Sequence, residues 1–418
     1  MLIKIAWRNI WRSRMRSVVV IMSIIAGVWA LCFILSFSNG ITYTYIENAI
    51  RDQFSHVQLH HPKFSEDKDS KFYLTDVAAT LEQIRQMPET QAATARILAN
   101  GMISSTRAAR GVQITGVEPG PEAAVTHLDQ KVVEGSYFQP ERHNEILISR
   151  RTAEKLKVKL RSRVVLTFQN MDSDITAAAF RVVGLFDTGN MMLDESMVYV
   201  KGEVLKTHLL TESINPELTT IDSTRHDFAQ EIAIFLKDAK AVKAVKTELI
   251  KSHPDVLVED YWEISPDVDL YESQIKSMNG IVIAIFMLAL IFGIVNTMLM
   301  AVLERYKELG MLMAIGMNKA RVFRMIVLET LMLGLVAAPL GLGLGWLTVF
   351  LLQDKGIDLS AFSKGLELFG METVIFPVLD GALYLQLSVA VLITALLASI
   401  YPARKAVRLK PVEALHKI

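Results

Sequence analysis

With 418 residues, 51% hydrophobic composition and a mean hydropathy of +0.31, the chain is too apolar for an ordinary soluble protein. Its 21% charged residues are too many for membrane spans alone, so a few membrane helices and a sizeable soluble part are expected together. The 44 basic residues balance 44 acidic ones, which removes the global field that nucleic-acid binding needs, and the lone Cys32 excludes an intrachain disulfide.

Residues Ile3 to Arg16 read as a short basic helix on a membrane surface, with Ile3, Trp7, Ile10 and Trp11 toward lipid. Four uncharged runs follow that are long enough to cross a bilayer, for which about 20 apolar residues are needed. They are Val18 to Phe37, Ile281 to Leu303, Thr330 to Leu352 and Ala382 to Ile400. The first is too long for the apolar core of a signal peptide and reads as an uncleaved anchor. Basic residues crowd before it, after the second run (Lys319, Arg321, Arg324) and after the fourth (Arg404, Lys405, Arg408, Lys410). The loop between the third and fourth is acidic. The positive-inside rule therefore puts both termini in the cytoplasm and the segment from about Gly40 to Met278 outside.

That external segment interleaves short strands and helices without a βαβ run, which predicts an α+β domain. Strands are expected from Val57, at Ala109 to Val117, Glu145 to Ile148, Arg163 to Gln169, Ala178 to Phe186 and Val256 to Tyr261. Leu74, Val77, Leu81 and Ile84 fall on one helical face, and Val242, Val245 and Leu249 on another. Ser213 to Asp227 reads as a polar surface loop. Asp267 to Met278 runs into the second span as a stalk, which Gly280 either leaves intact or breaks.

At the end of the second span the chain turns from apolar to charged within a few residues. Glu304, Arg305, Lys307 and Glu308 must lie at a membrane surface. Gly310 and Gly316 bracket an apolar piece too short to cross back. A charged stub followed by a short amphipathic helix is a shape that a soluble partner grips. In the third span Gly341 and Gly345 are four apart, which permits close helix packing in lipid. Glu329 is either an interfacial carboxylate near Arg324 or Lys319 or a functional residue. No G-x-x-x-x-G-K-[ST] phosphate loop occurs, so ATP is not expected to bind in that way here. His60, His61, His127 and His143 lack metal-ligand spacing and read as exposed strand or loop residues, with no metal expected. No Ser-His-Asp or H-E-x-x-H pattern suggests an enzyme.

The run from Gly293 to Gly316 resembles the second transmembrane helix and coupling helix of permease subunits in the MacB/FtsX superfamily of ABC transporters, which read roughly GIxNTMLMxVxERxxEIGxLxAIG. Asn296, Thr297, Met298, Glu304, Arg305, Glu308, Gly310, Ala314, Ile315 and Gly316 match, and Met313 stands where the family often has Arg or Lys. Ala6 to Arg16 is similar to the family's AxRNxxRxxxR opening, and Tyr401 to Leu415 to its PAxxAxxxxPxEALR ending. Within the external segment, Gly111 to Val117, Glu134 to Phe138, Glu145 to Ser149 and Phe180 to Gly189, with Asp194, look most like the lipoprotein-releasing LolC/LolE-type permeases. Leu160-Arg161 replaces their Gly-Asp turn.

The resemblance implies a four-helix membrane protein with a large MacB-like α+β periplasmic core domain between helices 1 and 2. The implied order is an elbow helix (1–17), helix 1 (18–39), the periplasmic domain (40–266), and stalk and helix 2 (267–303). The coupling helix (304–324), helix 3 (325–352), a periplasmic loop (353–380), helix 4 (381–402) and a cytoplasmic tail (403–418) follow. It further implies an inner-membrane permease subunit that extracts lipoproteins for a periplasmic carrier by mechanotransmission. A separate LolD-like ATPase would hold ATP and Mg, and a second permease copy or paralogue would complete the pair. The ATPase-coupling residues would be Glu304, Arg305, Lys307, Glu308, Gly310, Met313, Ala314, Ile315 and Gly316. Asn296, Thr297, Gly341 and Gly345 would serve helix packing or a substrate cleft. The alternatives are MacB-like export of a peptide, toxin or drug with an adaptor, and FtsX-like signalling to a cell-wall hydrolase.

Overall fold

The computed structural model describes residues 2–12, 14–65, 67–210, 227–368, 373–378 and 381–408. Along the chain come α1 (Leu2–Arg12), α2 (Arg14–Ala49), β1 (Val57–His60), β2 (Leu74–Thr75), α3 (Val77–Gln86), β3 (Thr90–Ser104), β4 (Ala109–Val117) and α4 (Pro119–Thr126). Next are β5 (Val132–Gly135), β6 (Glu145–Ser149), α5 (Arg150–Leu156), β7 (Arg163–Gln169), β8 (Ile175–Phe186), α6 (Met191–Ser196), β9 (Met197–Lys201) and α7 (Gly202–Leu209). After these lie β10 (Phe228–Ala229), β11 (Glu231–Leu236), α8 (Val242–Ser252), β12 (Leu257–Asp260), α9 (Tyr261–Ile264), α10 (Pro266–Glu304), α11 (Tyr306–Ala314) and α12 (Lys319–Leu352). The last are β13 (Ile357–Asp358), α13 (Ser363–Leu368), β14 (Val374–Ile375) and α14 (Gly381–Val407). The elements form two compact units, Met1–Tyr43, Tyr271–Asp358 and Val374–Ile418 in one, Thr44–Leu270 and Leu359–Thr373 in the other.

Four helical stretches, whose greater part falls in the first unit, are long and apolar enough to cross a membrane: Ser17–Phe54, Val268–Glu304, Lys319–Leu352 and Gly381–Val407. Apolar residues run all round them, the pattern of helices that need no watery face. α10 opens on Pro266, whose missing N–H costs nothing in a first turn, and continues through Gly280 without a break. Pro339 sits inside α12 and Pro402 inside α14, as membrane helices tolerate. α1 does not present all its apolar side chains outward. Trp7 and Trp11 are about half exposed, whereas Ala6 and Ile10 are buried in the helical core. Ala6 and Ile10 are one turn apart, so they share the face that packs on α12. The side chain of Ile3 lies outside the described residues.

The second unit is built on a ten-stranded mixed sheet. β3, β4, β9, β6, β8 and β7 pair in sequence, and β7 pairs back onto β3, so these six strands close a ring. β5 adds to β8, while β11, β1 and β12 extend from the first half of β3. Two pairings are parallel, β4 with β9 and β6 with β8; the rest are antiparallel. β3 can serve both the ring and its extension because it is 15 residues long. It pairs with β11 along Thr90 to Arg96 and with β7 along Gly101 to Ser104. At Gly101 a Cβ would stand 2.4 Å from the Thr167 carbonyl oxygen, so a side chain there would prise the ring open.

α3, α7 and α8 cover the sheet, burying Val77, Leu81 and Ile84, Leu205 and Leu209, and Val242, Val245 and Leu249. Leu74 does not belong to the α3 face. It lies in β2, paired with Ala229, and the left-handed Asp76 (φ 55°) separates it from the helix. The turn at Leu160-Arg161 forms with Arg161 itself in the left-handed region (φ 68°), its N–H donating to the Val182 carbonyl. Of the expected Ser213 to Asp227 loop, 213–226 lie outside the described residues, as do 409–418 of the tail.

Two buried ionisable groups in this unit respond to pH in opposite senses. Burial pushes the His56 imidazole down to about 4, only partly offset by Asp238, and its Nδ1 accepts the Leu236 N–H at 3.1 Å. Burial pushes Asp194 up to about 6, against hydrogen bonds from the Thr188 N–H and hydroxyl. His56 therefore contributes stability that is complete above its unfolded value near 6.5 and is lost as pH falls through about 4. Asp194 acts oppositely: stability declines as pH rises from its unfolded value near 3.8 through about 6. The stability advantage of the parent over His56→Asn is thus expected to shrink by on the order of 2 kcal/mol between pH 7 and pH 4. Denaturant unfolding of both proteins at several pH values measures it, and a pH-independent difference would refute the assignment.

Candidate coupling site and membrane cleft

The segment between α10 and α12 is a helix, a break, a second helix and a cap. α10 ends at Glu304, and Arg305 (φ −97°, ψ 21°) interrupts the helical geometry before α11 starts at Tyr306. α11 closes on Gly316, whose φ of +104° suits glycine. The Gly316 N–H donates to the Met313 carbonyl and the Met317 N–H to the Leu312 carbonyl, the paired bonds of a Schellman stop. Asn318 then caps α12 by accepting the Ala320 N–H at 3.1 Å.

The nine residues expected to couple to an ATPase divide into two sets. Glu304, Lys307, Ala314, Ile315 and Gly316 are exposed, Ile315 at 78%, which is unusual for an aliphatic side chain without a membrane or a partner. Gly310 is buried inside α11 instead of bracketing it, and Met313 is half-buried against the helical core. Arg305 turns inward, and Glu308 is half-buried beside it. Arg305 Nη1 donates to both oxygens of Glu329, at 3.2 and 3.4 Å, and its Nε donates to Glu308 at 3.2 Å. Glu329 therefore does not rest beside Arg324 or Lys319. Those residues stand five and ten positions back on its own helix, off the face Glu329 occupies. Asn9 and Arg12 of α1, for which the sequence offered no partners, complete the cluster: Asn9 Nδ2 donates to Glu329 at 2.5 Å and Arg12 to Glu308 at 2.6 Å.

Within the spans, Gly341 and Gly345 face α2. A Cβ on Gly341 would stand 2.9 Å from the Val28 Cβ, and one on Gly345 2.6 Å from the Cys32 Cβ. Between α2 and α10 lies a cleft of about 280 Å³, walled by Ile24, Gly27, Phe286, Leu290 and Ile294. Its two hydroxyls are occupied by their own helices: Ser23 donates to the Val19 carbonyl and Thr297 to the Gly293 carbonyl. Asn296 points elsewhere, beside Phe292 and Leu299.

Among the described residues no group of three or more His, Cys, Asp or Glu side chains is arranged to hold a metal. His60, expected to be exposed, is buried instead, held between the Gln230 carbonyl at 3.1 Å and the Gln58 amide oxygen at 2.9 Å. The central strand position of β1, paired on both sides, encloses it.

Four helices long and apolar enough to cross a membrane, a helix–break–helix segment at the end of one of them and a mixed α+β unit that lies between the first two in chain order are the parts a membrane permease of this kind needs. Residues 17–252 match the MacB-like periplasmic core domain and residues 280–411 the FtsX-like permease C-terminal domain, and the chain belongs to this MacB/FtsX family of ABC-type permeases. It is 21% identical over 346 residues to the lipoprotein-releasing system transmembrane protein LolE of Haemophilus influenzae, covering 80% of this chain and 79% of that protein. It is 23% identical over 432 residues to the pyoverdine export ATP-binding/permease protein PvdT of Pseudomonas fluorescens, covering 99% of this chain and 59% of that protein. The macrolide export ATP-binding/permease protein MacB of Hahella chejuensis is 24% identical over 429 residues, with the same two coverages. The chain thus spans about three-fifths of the length of these two ATP-binding/permease relatives.

Proposed function

We propose that this chain is the permease of an ATP-driven transporter that draws lipoproteins from the inner membrane and passes them to a periplasmic carrier by mechanical transmission. The observation that carries the reading is the cleft between α2 and α10, walled by apolar side chains and effectively without free polar groups, which suits an acyl chain. The name of the LolE relative agrees with such a cargo. In this reading both termini are cytoplasmic, and a separate LolD-like ATP-binding subunit, carrying ATP and Mg, grips the coupling segment around the exposed Glu304, Lys307 and Ile315. A second permease copy or paralogue covers the exposed face of α10, where Ile281, Ile285, Leu288 and Phe292 form a stripe that continues to Asn296. Asn296 supports that pairing, because an amide in hydrocarbon gains from a partner across a helix contact by about 1 kcal/mol.

The test is affinity capture of the full chain from detergent-solubilised membranes in a nucleotide-trapped state, compared with a variant reversing the two exposed charges, Glu304→Lys/Lys307→Glu. The expected result is an ATP-binding subunit with acylated lipoproteins from the parent, and at least a tenfold loss of both from the variant. Undiminished ATPase association and ATP-driven release in the variant would overturn the coupling assignment. One observation favours a second reading: the two export relatives align over 99% of this chain, against 80% for LolE. Capture of an adaptor protein without lipoprotein would replace the cargo with an exported peptide or small molecule and keep the scaffold.

A further inference from the structure

The inward-facing half of the coupling segment is as specific as its exposed half. Five polar groups from three separate stretches form one connected chain: Asn9 and Arg12 on α1, Arg305 and Glu308 at the α10–α11 junction, and Glu329 on α12. Its two ends differ in kind. The Arg12–Glu308 pair is solvent-exposed, with side-chain exposures of 66% and 38%, and such a pair contributes little by itself. Arg305 and Glu329 are 16% and 9% exposed, and the amide of Asn9 that bonds Glu329 also lies 3.9 Å from the sulfur of the buried Met325. A half-buried guanidinium in that setting cannot leave its carboxylate without being stranded, so the pair holds its geometry. Arg305 is also the residue at which the helix breaks, so the pair fixes where α10 ends and α11 begins.

We propose that Glu329 is a positioning residue for coupling. Through Arg305 and Asn9 it clamps α11 and α1 to α12, so that a push on the coupling helix is delivered to the elbow helix and the third span together, and not only along α10. The inference rests on the coupling role given above to residues 304–316, but its structural half stands without an ATPase. It also explains why α1 carries Asn9, since a basic helix serving only to meet lipid headgroups has no use for an amide seated on a buried carboxylate.

Two measurements test it on the full chain in lipid nanodiscs. In a Cys32→Ala background, spin labels at the exposed positions 8 and 314 report the α1–α11 distance by pulsed electron resonance. The parent is expected to give one narrow distribution, Glu329→Gln a distribution at least twice as broad, and Glu329→Asp, which keeps a carboxylate facing Arg305, a narrower one than Glu329→Gln. In the second, the chain is reconstituted with its ATP-binding subunit, and cargo moved per ATP hydrolysed is expected to fall at least fivefold in Glu329→Gln. Asn9→Ala, which leaves the ion pair intact, is expected to give an intermediate loss on both readouts, and it serves if Glu329→Gln does not fold. An unchanged distance distribution in Glu329→Gln or, failing that variant, in Asn9→Ala would overturn the clamp. A broadened distribution with undiminished coupling would overturn its role in transmission while leaving the proposed transporter standing. Loss of ATPase association in the charge-reversed coupling variant is a separate result, so the two readings fail independently.

Discussion

Replacing Arg96 with methionine is expected to destabilise the MacB-like core domain by about 3–5 kcal/mol, the cost of leaving buried charges without a partner. Arg96 donates through Nε and Nη2 to the two oxygens of Glu122, at 3.0 and 2.9 Å, and through Nη1 to Glu231 at 2.7 Å. The three side chains are at most 8% exposed. Burial disfavours the charged guanidinium, but the two carboxylates outweigh it and its pKa is raised. Arg96 Nη1 also donates to the Gln53 carbonyl at 3.1 Å, tying the π-type turn Ile50–Phe54 to β3. Without the guanidinium, two carboxylates are left together in a dry interior. At about 2–4 °C per kcal/mol for a domain of this size, the unfolding midpoint should fall by roughly 10 °C. Near-ultraviolet circular dichroism of the solubilised chain reads the transition. The Arg96→Met/Glu122→Gln/Glu231→Gln triple variant should recover more than half of the loss, because it removes the charges and not only their partner. A loss below about 1 kcal/mol for Arg96→Met would show that the cluster is hydrated.

The second large effect is expected in the membrane unit, where three glycines alternate along α12. Gly345→Val should destabilise the helical bundle by about 1–3 kcal/mol, and Gly341→Val by a similar amount, since each places carbon inside the van der Waals radius of α2. Gly343, two residues from either, meets nothing within 4 Å. Gly343→Ala should therefore be neutral or stabilising by up to about 1 kcal/mol through helix propensity alone. Unfolding in mixed micelles at increasing dodecyl sulfate fraction separates the three variants. Equal effects at all three positions would mean that α2 and α12 do not meet along this seam.

Much of the architecture is legible from residue pattern because it follows from local chemistry. Uncharged runs about as long as the hydrocarbon core of a bilayer is thick read as spans, and β4 and β7 begin and end where the alternation of Ala109–Val117 and Arg163–Gln169 begins and ends. β3 escapes such reading. Its Ala, Asn and Gly residues have weak strand preference, and it is a strand because β4, β7 and β11 all pair with it and the ring cannot close without it. Leu74 is misassigned for a related reason: its spacing fits the helix face, but a backbone turn at Asp76 intervenes, and period alone does not register a turn.

Residue order alone establishes the class of this protein. Hydropathy, the spacing of the spans and the charged, glycine-stopped segment after the second of them depend on residues near one another in the chain. Which residues of that segment face outward and which are held inside is a matter of packing in three dimensions. Arg305 and Glu308 find partners 24 and 296 positions away, on α12 and α1, and Arg96 finds its own 26 and 135 away. Charge pairing depends on distance in space, and in a chain that crosses itself as helices and closes as a ring, separation in sequence carries almost no information about it.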